Sequence, residues 1–503
     1  MQHRVNAYLG RHLQISVFLL VFLYCTILYL SPDSFKFGVA IALLFIGIVY
    51  ILTKNLFASL FIAFLVSSQF FFPAKTYQFE YASPAEYIYE LLPNGIFESI
   101  AITLADVCSG LMIIYFVKVK LFDHNDIPPK KGVVSQQHKS LITILLLAWL
   151  FYFSISLYSS LYLSFSPAFS VNLLAQYGNM VVMFLGVLYF FRHAKRLIRV
   201  FYVVLIAILL FQSVLGTFQF AKSLTSYGSN EKLPSVDLEQ SVDFSRVEGI
   251  SGHPNGHAFI IANLLILTFP FVLKNKKSKW WIISILGFLN IVFSQSRVVW
   301  AALIMLIPLI CILYASSLRS TTIRLIKAKY FYLVMLGVLT LSIIILPRLQ
   351  ASILFFTEEG GGTLRLKMLS EGWQLLQSSL WTGFGAGTGV RVLLDNFSNG
   401  YIATFPFPIH IAYLQIALES GIPATIAFFI PIFLIIREWL QLDKNIKRRN
   451  HILLSTVCCI IVVLVYYALQ PVYGRREFVI LGIIFGSGIV SLTERSNSKY
   501  HEF

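Results

Sequence analysis

Three arginines and one histidine beside long apolar segments are the residues of this chain best suited to chemistry. Arg297 follows Ser294-Gln295-Ser296, Arg365 lies in a mixed polar and apolar stretch, Arg391 follows a glycine-rich turn, and His410 begins an apolar segment. A guanidinium binds phosphate oxygens through two parallel hydrogen bonds and stays charged at any relevant pH. A neutral imidazole can accept a hydroxyl proton. Together these groups suit binding of a diphosphate and activation of a hydroxyl.

Each of these residues also has a structural interpretation. An arginine at the membrane surface often reaches towards lipid headgroups or pairs with a carboxylate, and His410 could be an interfacial side chain without chemistry. His253 and His257 have the spacing of two ligands on one helix face, but Pro254 lies between them and no third ligand is apparent. We therefore predict no metal and no cofactor.

Long apolar segments recur along the whole chain and must position these residues. They are near residues 13–30, 35–52, 56–72, 96–117, 141–163, 171–191, 198–220, 257–273, 280–294, 298–317, 330–346, 409–436, 451–470 and 477–492. Each approaches the length of a bilayer-spanning helix. With 57% hydrophobic and 12% charged residues, the chain is predicted to be an all-α polytopic membrane protein with about 12–14 transmembrane helices. The net charge of +16 is attributed to loops at the membrane and not to nucleic-acid binding.

The basic clusters predict the orientation of the chain. They follow every second apolar segment, which is the positive-inside pattern when both termini are cytoplasmic. No cleavable signal peptide is expected, because the first apolar segment is long and lacks a small-residue cleavage site. Arg297, Arg365, Arg391 and His410 then all lie on the extracytoplasmic side.

The longest predicted outside loop spans residues 347–408, a length that favours a functional role. Within it, residues 363–379 place their leucines and Met368 on one face, which predicts an amphipathic helix on the outer membrane surface. The glycines at 383–387 follow, without the Lys-Ser/Thr ending of a nucleotide-binding loop. Two carboxylates inside apolar segments, Asp106 and Glu419, are candidates for ion pairing or proton transfer.

The order of these motifs resembles the O-antigen ligase/polymerase family. Ser294-Gln295-Ser296-Arg297 before a helix, Arg365 with Leu369 as an Arg-x-x-x-Leu element, and His410 followed by Gly421 carry the resemblance. It is strongest from about residue 250 to 435. Ile411 stands where the family has a polar residue, and Ala424 replaces the second glycine of the last motif. These departures weaken a strict lipid A–core ligase assignment and leave room for a polymerase, including one that resembles teichuronic acid or capsule polymerases.

The resemblance implies a metal-independent glycosyltransferase in the bacterial cytoplasmic membrane. Its donor would be an undecaprenyl-diphosphate-linked glycan, and its acceptor another glycan or lipid, with a polysaccharide flippase and a chain-length regulator as conceivable partners. Arg297, Arg365 and His410 would be catalytic. The predicted substrate-binding residues are Arg391, Gln295, Tyr413, His253 and Asn255. Residues 1–250 and 437–503 would be flanking transmembrane helices, and residues 251–436 the catalytic region.

Two other classes of function fit parts of the sequence. Many helices, Asp106 and external arginines would also suit a polysaccharide or lipid-glycan transporter. However, transport sites usually lie near the membrane midplane in repeated halves, whereas the polar candidates here gather at the outer surface. A scaffold for a polysaccharide-synthesising complex is the third interpretation. Among the enzymes, the sequence leaves open a ligase, a polymerase and a protein glycosyltransferase.

Overall fold

The computed structural model describes residues 2–31, 34–70, 73–78, 99–122, 136–194, 197–226, 246–274, 280–309, 361–400, 408–472 and 474–493, with Leu313 and Ile402. The elements are α1 (Gln2–Leu30), α2 (Phe35–Thr53), α3 (Leu56–Ser67), β1 (Pro73–Gln78), β2 (Ser99–Thr103), α4 (Leu104–Phe122), α5 (Gln136–Tyr162), α6 (Pro167–His193), α7 (Ile198–Ser226), α8 (Pro254–Lys274), α9 (Trp280–Phe293), α10 (Arg297–Leu309), α11 (Gly361–Ser378), α12 (Gly389–Asn396), α13 (Ala412–Leu440), α14 (Lys444–Arg449), α15 (His451–Leu469) and α16 (Arg475–Thr493).

The prediction of an all-α polytopic membrane protein is confirmed. Among the described helices, eight have the length and apolar composition to cross a membrane: those within α1, α2, α5, α6, α7, α8, α13 and α15. Three shorter apolar helices, α3, α9 and α10, accompany them. Leucines such as Leu19, Leu147 and Leu150 are exposed on the surfaces of these helices, which suits contact with lipid. The predicted segment at 330–346 lies outside the described residues.

One predicted apolar segment changes structure part of the way along. The segment from residue 96 begins as strand β2, which pairs antiparallel with β1, and becomes helical only at Leu104. Ser99-Ile-Ala-Ile-Thr103 alternates β-branched and small residues, a composition compatible with a strand. Asp106 consequently lies in the first turn of α4, and not deep within a transmembrane helix as predicted.

The chain packs as two compact units. The first comprises residues 1–208, 368–441 and 470–503, and the second comprises residues 209–367 and 442–469. This division follows packing, so the predicted functional division at residues 250 and 436 stays a prediction.

In the first unit, α6 packs closely against α16 because glycines remove the side chains between them. A Cβ added to Gly482 would lie 2.5 Å from the Met180 carbonyl oxygen, and one added to Gly486 would lie 2.7 Å from Val187 Cβ. These glycines are four residues apart, as in helix pairs whose backbones approach closely in membranes. Trp149 on α5 packs edge-on against Phe184 on α6, which extends this core.

The predicted amphipathic helix is present as α11, and its apolar face packs against protein in the first unit. Met368, Leu375 and Leu376 are buried in a cluster that includes Leu393 on α12 and Leu414 on α13. A face that packs in this way is stabilised by the core it covers, at about 25 cal/mol per Å² of buried apolar surface. The prediction that this face rests on lipid therefore needs correction, because protein covers these three side chains.

In the second unit, α8 lies between α9 and α15. The ring of Phe259 on α8 lies 4.3 Å from that of Tyr466 on α15, and the Cys459 thiol donates to the Asn263 carbonyl. On α9, the Asn290 amide donates to the Ser213 carbonyl of α7 at 2.8 Å. Side-chain amides that bond between helices are a common means of holding membrane helices together.

Candidate functional site

A tight loop in the second unit leads into the start of α8. Gly249 and Gly252 both have positive φ, at +58° and +67°, which favours glycine. The Gln219 side chain accepts from the Gly249 N–H at 2.8 Å and donates to the Gly249 carbonyl at 3.1 Å. A Cβ on Gly249 would lie 2.1 Å from His257 Nδ1. The loop is thus fixed by a two-point amide contact and by close packing.

His253 caps the start of α8. Its Nδ1 accepts from the Asn255 N–H at 3.2 Å, and its carbonyl accepts from the His257 N–H at 3.0 Å. An imidazole nitrogen that accepts must be unprotonated, so His253 is in its neutral form with the proton on Nε2. Pro254 occupies the first position of the helix, where a missing N–H is harmless. His253 and His257 therefore do not share a helix face.

Arg246, which the sequence did not single out, connects the start of α8 to the turn between α9 and α10. Its Nη2 donates to Asn255 Oδ1 at 2.9 Å in the first turn of α8, and its Nε donates to the Ser294 carbonyl at 3.3 Å, three residues before α10. Asn255, predicted to bind substrate, thus holds this arginine. The available signal was that Arg246 is the only arginine between residues 221 and 256.

The turn between α9 and α10 has the strain that often marks functional sites. Gln295 has φ +52°, which is unusual for a residue other than glycine. Its side chain is 1% exposed, and Gln295 Oε1 has no hydrogen-bond partner among the described residues. The Ser294 hydroxyl accepts from the Ser296 N–H at 3.3 Å and closes the turn. Arg297 follows as the first residue of α10, half-buried.

Arg365 is half-buried near the start of α11, still within the second unit. Burial, together with the positive charges of Arg246 and Arg365, lowers the pKa of His253 to about 3. Both guanidinium groups are therefore near enough to His253 to act on it electrostatically. The site around His253 has a net positive field, which disfavours a protonated imidazole and favours an anion.

The start of α8 adds to this positive field. The first N–H groups of a helix point out of its end and carry part of the positive end of the helix dipole. Arg246 bonds Asn255 in the first turn of α8 and the carbonyl of Ser294, which directly follows α9. The start of α8, with Arg246 and Arg365 acting on His253, forms an arrangement suited to an anion with several oxygens, such as a diphosphate.

His410 lies in the first unit, immediately before α13. The Ile411 N–H donates to the Ile409 carbonyl at 2.8 Å, and the Ala412 N–H donates to the Gln470 carbonyl at 3.0 Å. These contacts fix the backbone on the C-terminal side of a half-buried imidazole. Because Ile411 is extended, with φ −142°, and the helix begins at Ala412, His410 is not part of the helix that carries Tyr413. The Tyr413 ring packs on Phe429, with 4.8 Å between centroids.

Helix α13 is broken at Gly421, the glycine of the His410 motif. Gly421 has φ +80° and ψ 165°, and a Cβ there would lie 2.3 Å from the Trp381 carbonyl oxygen. The glycine-rich segment pairs with the break: the Phe384 N–H donates to the Leu418 carbonyl and the Gly385 N–H to the Glu419 carbonyl, both at 2.8 Å. The glycines at 383–387 therefore support a helix break. Ala424, which replaces the second glycine, is fully buried.

Glu419 and Arg391 have partners within the first unit. The Glu419 carboxylate accepts from the Gln415 side chain at 3.1 Å, and Gln415 Oε1 accepts from the Val472 N–H at 2.9 Å. Arg391 pairs with Asp395 at 3.1 Å, and its guanidinium lies 4.9 Å from the centre of the Phe165 ring. Glu419 thus anchors the start of α13, while the predicted substrate contact of Arg391 stays a prediction.

Asp106 forms an ion pair with Arg475 in the first unit. Arg475 Nη1 lies 3.3 Å from Asp106 Oδ2 and also donates to the Thr103 hydroxyl. Asp106 Oδ2 accepts from the Thr103 N–H at 2.8 Å, and Asp106 Oδ1 accepts from Asn179 at 2.8 Å. This is a capping box at the start of α4 with an arginine added. Of the two roles predicted for Asp106, ion pairing and proton transfer, the structure shows ion pairing.

The sequence-predicted residues thus fall into two sets. Gln295, Arg297 and Arg365 lie in the second unit with His253 and Asn255, whereas His410, Tyr413 and Arg391 lie in the first. The meeting of His410 with the arginines stays a prediction. Within the described part of the chain, no three His, Cys, Asp or Glu side chains are placed to share a metal ion.

A comparison with protein families matches residues 282–429 to the family described as O-antigen ligase. No curated protein matches the chain. The matched residues include the turn before Arg297, Arg365 and the His410 motif, and they begin after Arg246 and His253. The O-antigen ligase/polymerase prediction is therefore confirmed over residues 282–429, and the chain is a multi-pass membrane protein whose matched segment supports glycan transfer in polysaccharide biosynthesis.

Proposed function

We propose that this protein transfers a glycan from an undecaprenyl-diphosphate carrier to an acceptor hydroxyl at the outer face of the bacterial cytoplasmic membrane, as a polymerase or a ligase. The observation that carries this proposal is the positively charged site around His253, where Arg246 joins the start of α8 to the turn between α9 and α10. A diphosphate on a membrane lipid has the charge and the oxygens that such a site binds. The O-antigen ligase domain supplies the class of reaction.

In this proposal Arg297 and Arg365 bind the diphosphate and stabilise the negative charge that develops as it leaves. Arg297 begins α10, so its guanidinium and the N–H groups of that helix start can act on the same anion. Removing one preorganised donor of this kind typically reduces catalysis by about 3 kcal/mol. No metal is required in this mechanism, because the guanidinium groups and helix starts perform the neutralisation.

His410 orients and deprotonates the acceptor hydroxyl. Its backbone is fixed next to the Gln470 and Ile409 carbonyls, which gives a general base a defined position. The acceptor oxygen forms the new bond to the anomeric carbon while the bond to the diphosphate breaks, and the proton moves to the imidazole. Attack opposite the leaving diphosphate inverts the anomeric centre. The imidazole then releases the proton to solvent.

The test is transfer by the purified protein with a defined undecaprenyl-diphosphate-linked glycan. We expect His410→Ala and Arg297→Ala to reduce turnover by at least about 100-fold, in the range known for loss of one catalytic donor. Arg437→Gln is the matched control, because Arg437 is 65% exposed at the other end of α13 from His410. Wild-type transfer by both alanine variants would contradict the catalytic roles of His410 and Arg297, and a wild-type protein without transfer would favour a transporter.

A deletion strain distinguishes the acceptor. Loss of a polymerase leaves single lipid-linked repeats, whereas loss of a ligase leaves long chains that are not attached to their acceptor. The chain-length distribution of surface glycan, measured together with the lipid-linked intermediates, therefore separates the two reactions. A flippase and a chain-length regulator are the partner proteins we propose for the polymerase.

A further inference from the structure

We propose that Arg246 is a positioning residue of the transfer site: it holds the start of α8 against the turn between α9 and α10. This inference rests on the proposed function, and it assigns a role to a residue that lies outside the matched O-antigen ligase segment of 282–429. The proposal depends on three features of the second unit, which are the fork of Arg246, the loop that delivers it, and the polar groups of the turn that it contacts.

The guanidinium of Arg246 uses two different nitrogens for two different helices. Nη2 bonds Asn255 Oδ1 at 2.9 Å, and Nε bonds the Ser294 carbonyl at 3.3 Å. The five N–H donors of a guanidinium lie in one rigid plane, so two such bonds fix both partners relative to each other. A lysine has a single nitrogen on a flexible stem and cannot reproduce this geometry.

The backbone around Arg246 is built to hold it in place. Val247 is 1% exposed, and its N–H donates to the Phe293 carbonyl at 3.4 Å, directly before the Ser294 turn. Three residues beyond Arg246, Gly249 is held at both its N–H and its carbonyl by Gln219. The loop therefore cannot move its arginine away without breaking contacts to α7 and α9.

The turn that Arg246 contacts contains a second indication of a ligand. The Ser296 side chain is 0% exposed, and its hydroxyl has no hydrogen-bond partner among the described residues. Gln295 Oε1, one residue earlier, also has no partner among the described residues, but an amide oxygen accepts and so does not bind a phosphate oxygen. Buried polar groups are normally satisfied, and a bound phosphate oxygen can accept from the Ser296 hydroxyl. Arg246 holds the backbone that carries these groups, at Ser294.

The inference predicts a specific kinetic change. Arg246→Gln should raise the KM for the lipid-diphosphate donor by about 10-fold to 100-fold, the range expected for losing a hydrogen bond to a charged group. The KM for the acceptor should stay unchanged. Arg246→Lys should resemble Arg246→Gln, because charge alone does not restore the two-point contact. Arg437→Gln, an exposed arginine on α13, should keep both values.

Asn255 provides an independent route to the same test. Asn255→Ala removes one of the two contacts and should raise the donor KM by a smaller factor. The double variant with Arg246→Gln should be no worse than Arg246→Gln alone, because both changes break one bridge. If Arg246→Gln does not fold, as judged by size-exclusion chromatography, Asn255→Ala carries the test.

Three results would overturn the inference. They are full rescue by Arg246→Lys, a lower kcat with an unchanged donor KM in Arg246→Gln, and additive effects of the two changes. Binding of undecaprenyl diphosphate in detergent, without turnover, separates this inference from the proposed function. If the wild type binds it and Arg246→Gln binds it at least 10-fold more weakly while His410→Ala still transfers normally, only the catalytic assignment fails. If the wild type does not bind it, both fail.

Discussion

Two arginines, one in each unit of the protein, each hold two helical segments together. The groups that accept their hydrogen bonds differ in charge. In the first unit, Arg475 at the start of α16 pairs with the Asp106 carboxylate in the first turn of α4. In the second, Arg246 bonds the neutral Asn255 amide in the first turn of α8 and the neutral Ser294 carbonyl before α10. The geometry is similar, and the balance of charge is different.

This difference indicates which helix junction serves stability and which serves binding. A carboxylate at 3.3 Å cancels most of the field of Arg475, so its junction has little attraction left for an anion. The two acceptors of Arg246 described above are neutral oxygens, and the positive charges of Arg246 and Arg365 add to burial in lowering the pKa of His253. An arginine held by neutral acceptors can be rigid and still attract phosphate.

The largest expected effect concerns the first junction and is on stability. Asp106→Ala leaves Arg475, 6% exposed, as a buried charge and also removes the cap of α4. Loss of one partner of a buried pair costs about 3 kcal/mol or more. We expect this decrease in the free energy of unfolding, measured by SDS titration in micelles, with unchanged turnover per folded molecule. Asp395→Ala, from the exposed pair with Arg391, should change stability by less than about 1 kcal/mol. Equal losses of stability in Asp106→Ala and Asp395→Ala would contradict the structural role assigned to the Asp106–Arg475 pair.

The second expected effect is on activity, with stability almost unchanged. Arg365→Gln should reduce kcat/KM for the lipid-linked donor by about 2–4 kcal/mol, or roughly 30-fold to 1,000-fold. Its free energy of unfolding should change by less than about 0.5 kcal/mol, since Arg365 is only half-buried. Turnover assays and SDS titration on the same preparation check both values. A stability loss as large as that of Asp106→Ala would show that Arg365 is also structural.

The smallest expected effect is on the protonation of His253. With its pKa lowered to about 3 from 6.5, His253 should remain neutral between pH 5 and 8 in histidine-selective NMR. The unfolded chain binds this proton more readily, so the contribution of His253 to stability is complete above pH 6.5 and declines as the pH falls towards 3. Arg365→Gln should raise the pKa of His253, and Arg437→Gln should not. An unchanged pKa of His253 in Arg365→Gln would contradict the positive field of Arg365, whereas titration near pH 6.5 in the wild type would contradict the burial of the imidazole as well.

The membrane architecture could be predicted because it depends on long local patterns. Apolar length and basic loops are properties of consecutive residues, so the transmembrane helices and α11 follow from the sequence. Arg297 could also be found, since three polar residues precede it in an otherwise apolar region. The start of α4 could not, because Ser99–Thr103 is as apolar as the helix that follows it, and only pairing with β1 separates the two.

The role of Arg246 was beyond the sequence for a different reason. Its two acceptors, Asn255 and Ser294, are 9 and 48 residues away, and no local pattern connects them. The partner of Asp106 is more distant still, at 369 residues. Likewise, Asn255 was predicted to touch substrate because it is polar and external, and only the structure gives its amide to an arginine.

The pairing of the glycine-rich segment with the broken α13 determines where this chain tolerates changes in length. Residues 384 and 385 align with the carbonyls of Leu418 and Glu419, so an insertion between 380 and 387 would shift the register and place a side chain where only Gly383 fits. The exposed turn at Ser398 and Asn399 lies outside this pairing. Natural variation and inserted labels between Arg365 and His410 should therefore be confined to that turn, while the stretch before it keeps a constant number of residues.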